Sequence, residues 1–78
     1  MPVIAREGPY RFFFYSHEPN EPAHVHVQRD RSLAKFWLGR VQLASSTRFA
    51  AHELRRIGAI IERRREEFLE AWHSWCEQ

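Results

Sequence analysis

The sequence predicts an α+β fold: an antiparallel meander sheet of three to four strands packed by one long C-terminal helix. Two observations carry this. Between Tyr10 and Ala44 the chain is a succession of short runs rich in aromatic and β-branched residues, separated by turn residues. From Ala50 onward the apolar period changes from two to about 3.6. The order of elements then favours a sheet backed by a helix.

Val3 to Arg6 is a short extended start, closed by the turn signal Gly8-Pro9. Tyr10 to Tyr15 follows as a strand with Tyr10, Phe12 and Phe14 on one face and Arg11, Phe13 and Tyr15 on the other. Its near-continuous apolar run fits a central strand covered on both sides. Residues 16–23 are proline-rich, and each residue before a proline is pushed away from helix. His24 to Arg29 is the next strand, turned at Asp30-Arg31-Ser32. Leu33 to Leu38 is another, ended by Gly39, and Arg40 to Ala44 can pair as one more. Ser45-Ser46-Thr47 then breaks the pattern before the helix. Leu54, Ile57, Ile61, Phe68, Trp72 and Trp75 recur at spacings of 3, 4, 7, 4 and 3, one stripe of a helix. Arg63 and Glu67 have the i,i+4 spacing of an ion pair on its solvated side. A helix of about 25 residues is roughly 38 Å long, against ~17–20 Å for a typical strand. Its Phe68–Trp75 end is therefore expected to overhang the sheet and offer Phe68, Trp72 and Trp75 to a partner or a second copy, or to cap the sheet core.

The 78 residues suffice for a single α+β domain, 1–78, with one modest core. An apolar fraction of 44% argues against disorder. Cys76 is the single cysteine, so no intrachain disulfide forms, and a reducing, cytoplasmic setting is expected. No apolar run reaches the ~20 residues a spanning helix needs, and the N-terminus lacks the apolar segment of a secretory signal. The net charge of +2 is uneven. Residues 1–51 carry about +3 and residues 52–78 about −1, which makes the N-terminal part the better surface for an anionic partner.

The candidate chemistry gathers at His24-Val25-His26-Val27, behind the stiff loop Glu18-Pro19-Asn20-Glu21-Pro22. Alternation sends His24 and His26 to one face. Three readings of that pair stay open. Two imidazoles on a strand present nitrogens to a divalent metal such as Zn²⁺, with a third ligand from His17, Glu18, Glu21 or His52. A histidine pair also divides acid and base roles near neutral pH. With Arg29, Arg31 or Lys35 nearby, that would be a metal-independent ribonuclease arrangement. Alternatively, Arg11, Arg29, Arg31 and Lys35 with Phe12, Tyr15, Phe36 and Trp37 suit stacking on single-stranded RNA or DNA. Against all three stands a plain structural role for two histidines among aromatics. No Ser/His/Asp or Cys/His signature and no glycine-rich phosphate loop is present.

Arg11-Phe12-Phe13-Phe14-Tyr15-Ser16, Asn20-Glu21-Pro22 and His24-Val25-His26-Val27 resemble the bacterial domain of unknown function 4160 family. The resemblance continues through Ala34-Lys35-Phe36-Trp37-Leu38 and Glu53-Leu54-Arg55-Arg56-Ile57 to Glu70-Ala71-Trp72. It implies no established activity. It does imply a two-gene arrangement similar to toxin–antitoxin pairs, with a partner of the domain of unknown function 2442 family. Two positions depart from the family pattern. His17-Glu18-Pro19 stands where members often carry a histidine or aspartate, which affects a loop ligand. Ala50 stands where a serine is frequent and would make a capping box with Glu53. The helix start is therefore expected to rest on Thr47 or Ser46, or to fray.

Overall fold

The computed structural model describes residues 3–15 and 20–76. Five strands pair in sequence order: β1 (Val3–Glu7), β2 (Tyr10–Phe13), β3 (His24–Arg29), β4 (Ser32–Trp37) and β5 (Gln42–Thr47). Every neighbouring pair is antiparallel. Two helices follow, α1 (Ala51–Arg63) and α2 (Arg65–Cys76). The meander and the α+β class are as the sequence predicts. Its three to four strands become five, and its one long helix becomes two.

Each departure has a local cause. Ser45, Ser46 and Thr47 do not end the strand region; they are the second half of β5, paired with Lys35, Ala34 and Leu33. Hydroxyl residues serve there because β5 is an exposed edge strand with no core to fill. The bend comes later, at Arg48, whose φ of 69° lies in the left-handed region. Neither Thr47 nor Ser46 caps the helix. Ala50 is the N-cap, with no side-chain hydrogen bond, and its carbonyl accepts from the Leu54 amide at 3.0 Å.

The predicted long helix breaks at Arg64, which has φ −106° and ψ 16°. Its amide divides between the Ile60 and Ile61 carbonyls at 3.1 and 3.2 Å, the tightened pattern of a helix end. The 13 residues of α1 give about 20 Å, matching a strand rather than overrunning it. Three consecutive arginines hold the break. Arg63 and Arg64 both reach Glu7 on β1, at 2.5 and 3.0 Å. Arg65 donates to the carbonyls of Leu38 and Gly39, both at 2.7 Å, beyond the end of β4. The expected Arg63–Glu67 pair is replaced by Arg64–Glu67 at 2.7 Å, because Arg63 is committed to Glu7.

One face of the sheet carries the helices. Phe12 and Phe14, Val25 and Val27, Ala34, Phe36 and Leu38 are buried there with Ile57 and Ile61 of α1 and Phe68 and Trp72 of α2. Phe12 meets Phe68 at 5.3 Å between ring centroids, and Phe14 meets Trp72 edge-on at 5.1 Å. Of the two expectations for Phe68 and Trp72, an overhanging contact surface or a cap on the sheet core, their burial here fits the second. Trp75 is half-buried beside Trp72. No helix of the described residues is long and apolar enough to cross a membrane.

Candidate functional site

The other face of the sheet is a small grid, set by strand register. Phe13, His26 and Lys35 form one row across β2, β3 and β4. Arg11, Gln28 and Leu33 form the next. His24 pairs with Trp37 at the end. Because side chains alternate, all of these leave the sheet on the side opposite Phe12, Val25, Val27 and Phe36.

The two imidazoles meet. Their ring centroids are 5.1 Å apart, nearly perpendicular. His26 stacks on Phe13 at 5.6 Å and touches Tyr15 at 4.3 Å. It is 8% exposed, while His24 has no exposed surface. His24 lies between Trp37 at 5.7 Å and Trp72 of α2 at 4.8 Å. Its Nδ1 is 2.9 Å from the Pro22 carbonyl. A carbonyl oxygen only accepts, so Nδ1 carries the proton and a neutral ring keeps its lone pair on Nε2.

The loop before β3 brings a third polar group. The Glu21 carboxylate accepts from Lys35 Nζ at 2.5 Å and lies 4.0 Å from His24 Nδ1. Lys35 also sits over the Trp37 ring at 4.7 Å, and Arg11 over Phe13 at 5.0 Å. Arg11 donates to the neutral Gln28 side chain, so its charge is not cancelled there. Tyr15 is the most exposed aromatic of this face, at 37%.

The predicted site residues therefore separate. His24, His26, Glu21, Lys35 and Arg11 share this face. His17 and Glu18 lie outside the described residues. His52 is exposed on the first turn of α1. The adjacent Glu53 bonds Arg29, at the opposite end of β3 from His24, so His52 is not brought to the pair. Among the described residues no group of three or more His, Cys, Asp or Glu is placed to hold a metal ion. Arg31 is exposed at the β3–β4 turn, beside Asp30, whose φ of 55° aspartate tolerates better than most residues.

Arg29 lies on the helix face. Its guanidinium grips Glu53 with two bonds, Nε at 2.8 Å and Nη2 at 2.9 Å. Tyr10 donates its hydroxyl to the same carboxylate at 3.2 Å. The Arg29 hydrogen bonds hold the Glu53 carboxyl below the usual carboxylate range, and Glu53 in turn raises Arg29. Arg29 is thus a clamp between sheet and α1. Of the aromatics named for stacking, Phe12 and Phe36 are buried on the helix face, and Tyr15 and Trp37 remain on the grid. Phe13 and Gln28 belong to the grid although sequence reasoning did not single them out. The signal was the alternation that puts Phe13 beside Arg11 and Tyr15.

A family model described as Domain of unknown function (DUF4160) matches residues 10–73, most of the chain. No curated protein and no solved structure matches it.

Proposed function

This chain belongs to the DUF4160 family, and we propose that it is a binding module whose ligand is single-stranded nucleic acid, held by the sheet face around His26. The carrying observation is the grouping on that face of Arg11 and Lys35 with Trp37 and the exposed Tyr15; Phe13, 1% exposed beneath the Arg11 guanidinium, supports that cation and is not itself open to a base. Aromatic faces stack on unpaired bases while nearby cations meet phosphates. The resemblance supports a place in a cytoplasmic bacterial two-gene module with a domain of unknown function 2442 partner, and the lone Cys76 fits a reducing compartment.

The test is anisotropy with a labelled single-stranded RNA octamer across salt concentrations. If Arg11 meets one phosphate and Lys35 leaves Glu21 for another, the log–log slope is about −1.4. That is roughly a seven-fold loss between 50 and 200 mM salt. Tyr15→Ala weakens binding about ten-fold, since one base loses its stacking partner. Absence of salt-dependent binding by the unaltered protein refutes the reading.

The His24–His26 contact favours a second reading, a small ribonuclease or metal-assisted hydrolase. Burial divides the roles. His26 would meet the substrate, and His24, fixed through Pro22, would position it. A zinc-assisted version would need a third ligand that the described residues do not bring to the pair. RNA cleavage abolished in a folded His26→Asn variant supports this reading, and unchanged cleavage refutes it. Metal analysis of protein purified without a histidine tag decides the zinc version.

A further inference from the structure

From the edge of the sheet we infer a second interaction surface: β5 accepts an added strand from a partner protein, an extended segment uncharged at its centre and acidic at both flanks. β5 ends the sheet order, so among the described residues one side of its backbone faces no other strand. All six of its residues are exposed, including Leu43 at 44%. Edge strands are ordinarily protected by charge or proline. Gln42-Leu43-Ala44-Ser45-Ser46-Thr47 has neither. Its one protective device is the bulge between its pairings to Lys35 and Phe36. The opposite edge, β1, carries Arg6 and Glu7.

The charges lie just beyond the ends of β5. Arg40 precedes it in the β4–β5 turn and Arg48 follows it at the bend, both exposed. Among the described residues, neither forms an ion pair. Arg31 adds to the Arg48 end, because the neighbouring Ser32 hydroxyl bonds the Arg48 carbonyl at 3.1 Å. A neutral six-residue strand of about 20 Å is thus framed by two cations. This framing disfavours a second copy as the occupant. Antiparallel self-pairing sets Arg40 of each copy beside Arg48 of the other, and parallel pairing sets like beside like. Acidic flanks satisfy both ends at once. Backbone hydrogen bonds supply affinity in such strand addition, and the flanks supply selection. The surface lies at the sheet edge and does not depend on the nucleic-acid reading of the open face.

The probe is an acetylated, amidated peptide with Thr-Val-Thr-Val-Thr at its centre and two glutamates on each flank, titrated calorimetrically into the intact protein. Two control peptides carry lysine flanks or N-methylated central amides. The acid-flanked peptide is expected to bind, with the lysine-flanked one at least ten-fold weaker and the methylated one silent. In an Arg40→Glu/Arg48→Glu variant that keeps its circular dichroism, the preference between flanks reverses. Equal affinity for both flanks overturns the inference, as does no binding of the acid-flanked peptide at millimolar concentration. Sedimentation showing a dimer that this peptide does not dissociate also overturns it. The peptide comparison stands even if the double variant fails to fold.

Discussion

Replacing Gly58 by alanine should stabilise the protein. Gly58 lies within α1 on the side facing the sheet, and a Cβ built there meets Phe36 Cε2 at 3.7 Å, an ordinary van der Waals contact. No left-handed backbone is required at this position. The new methyl therefore fits without moving the ring. Removing a mid-helix glycine gains about 1 kcal/mol, mainly by restricting the unfolded chain. With an unfolding entropy near 2.1 cal/mol/K per residue, this chain has roughly 0.16 kcal/mol/K in all, so Tm rises by about 6 °C. Thermal unfolding followed by circular dichroism measures it, and urea unfolding gives a second reading. Gly58→Val is the contrast, because its γ-methyls press on Phe36 and overpacking costs about 1–3 kcal/mol. A Tm unchanged or lowered in Gly58→Ala would refute the account, showing that helix and sheet approach more closely than 3.7 Å allows. Ligand binding by the stabilised variant should be unchanged, since α1 lies on the other side of the sheet from Arg11, Tyr15 and Lys35.

Acid should weaken the fold. Glu7, Glu53 and Glu67 are each held below the ordinary carboxylate range, chiefly by hydrogen bonds from Arg63, Arg29 and Arg64 respectively. Groups depressed on folding contribute fully above their unfolded pKa, and the contribution is lost as pH falls through the native value. Tm should therefore fall on acidification below about pH 4, and less so in Glu53→Gln; a Tm that rises or stays flat contradicts this. Trp72→Ala removes the side chain that joins Phe14, His24 and Trp75, at a cost of about 3–5 kcal/mol. A chain of this length has only ~4–12 kcal/mol in all, so urea unfolding should show a midpoint lowered by at least about a quarter, and a small change would place Trp72 outside the core. Arg48→Gly relieves a left-handed residue and should gain about 1 kcal/mol by the same assay. His24→Ala should lower Tm as well as any activity, because His24 is wholly buried; a fully stable variant would contradict a structural role.

Sequence reasoning reached some of these features and not others, for separable reasons. Strand alternation put His24 and His26 on one face and Arg11, Phe13 and Tyr15 together, and the structure shows both groupings. The helical stripe grouped Leu54, Ile57, Ile61, Phe68, Trp72 and Trp75 on one side, and the structure packs them with the sheet core; the choice between overhang and core for its Phe68–Trp75 end was not legible. The break at Arg64 was not legible, because Arg63-Arg64-Arg65 is good helix-forming sequence with no glycine or proline. What ends α1 is a set of acceptors distant in the chain: Glu7 and the carbonyls of Leu38 and Gly39. Arg29 read as a surface cation for the same reason. Its partner, Glu53, is 24 residues away.

Local order and periodicity are properties of the chain itself, so sequence determined the α+β class, the meander and which residues share a strand face. Which cation keeps its charge for a ligand and which is tied to a carboxylate depends on what arrives from elsewhere in the fold. Arg11 and Arg29 sit on adjacent strands, yet one donates to a neutral glutamine and the other to a glutamate on α1. The tertiary structure alone decided that. Electrostatic and hydrogen-bond partners are chosen by distance in space, and a sequence records only distance along the chain.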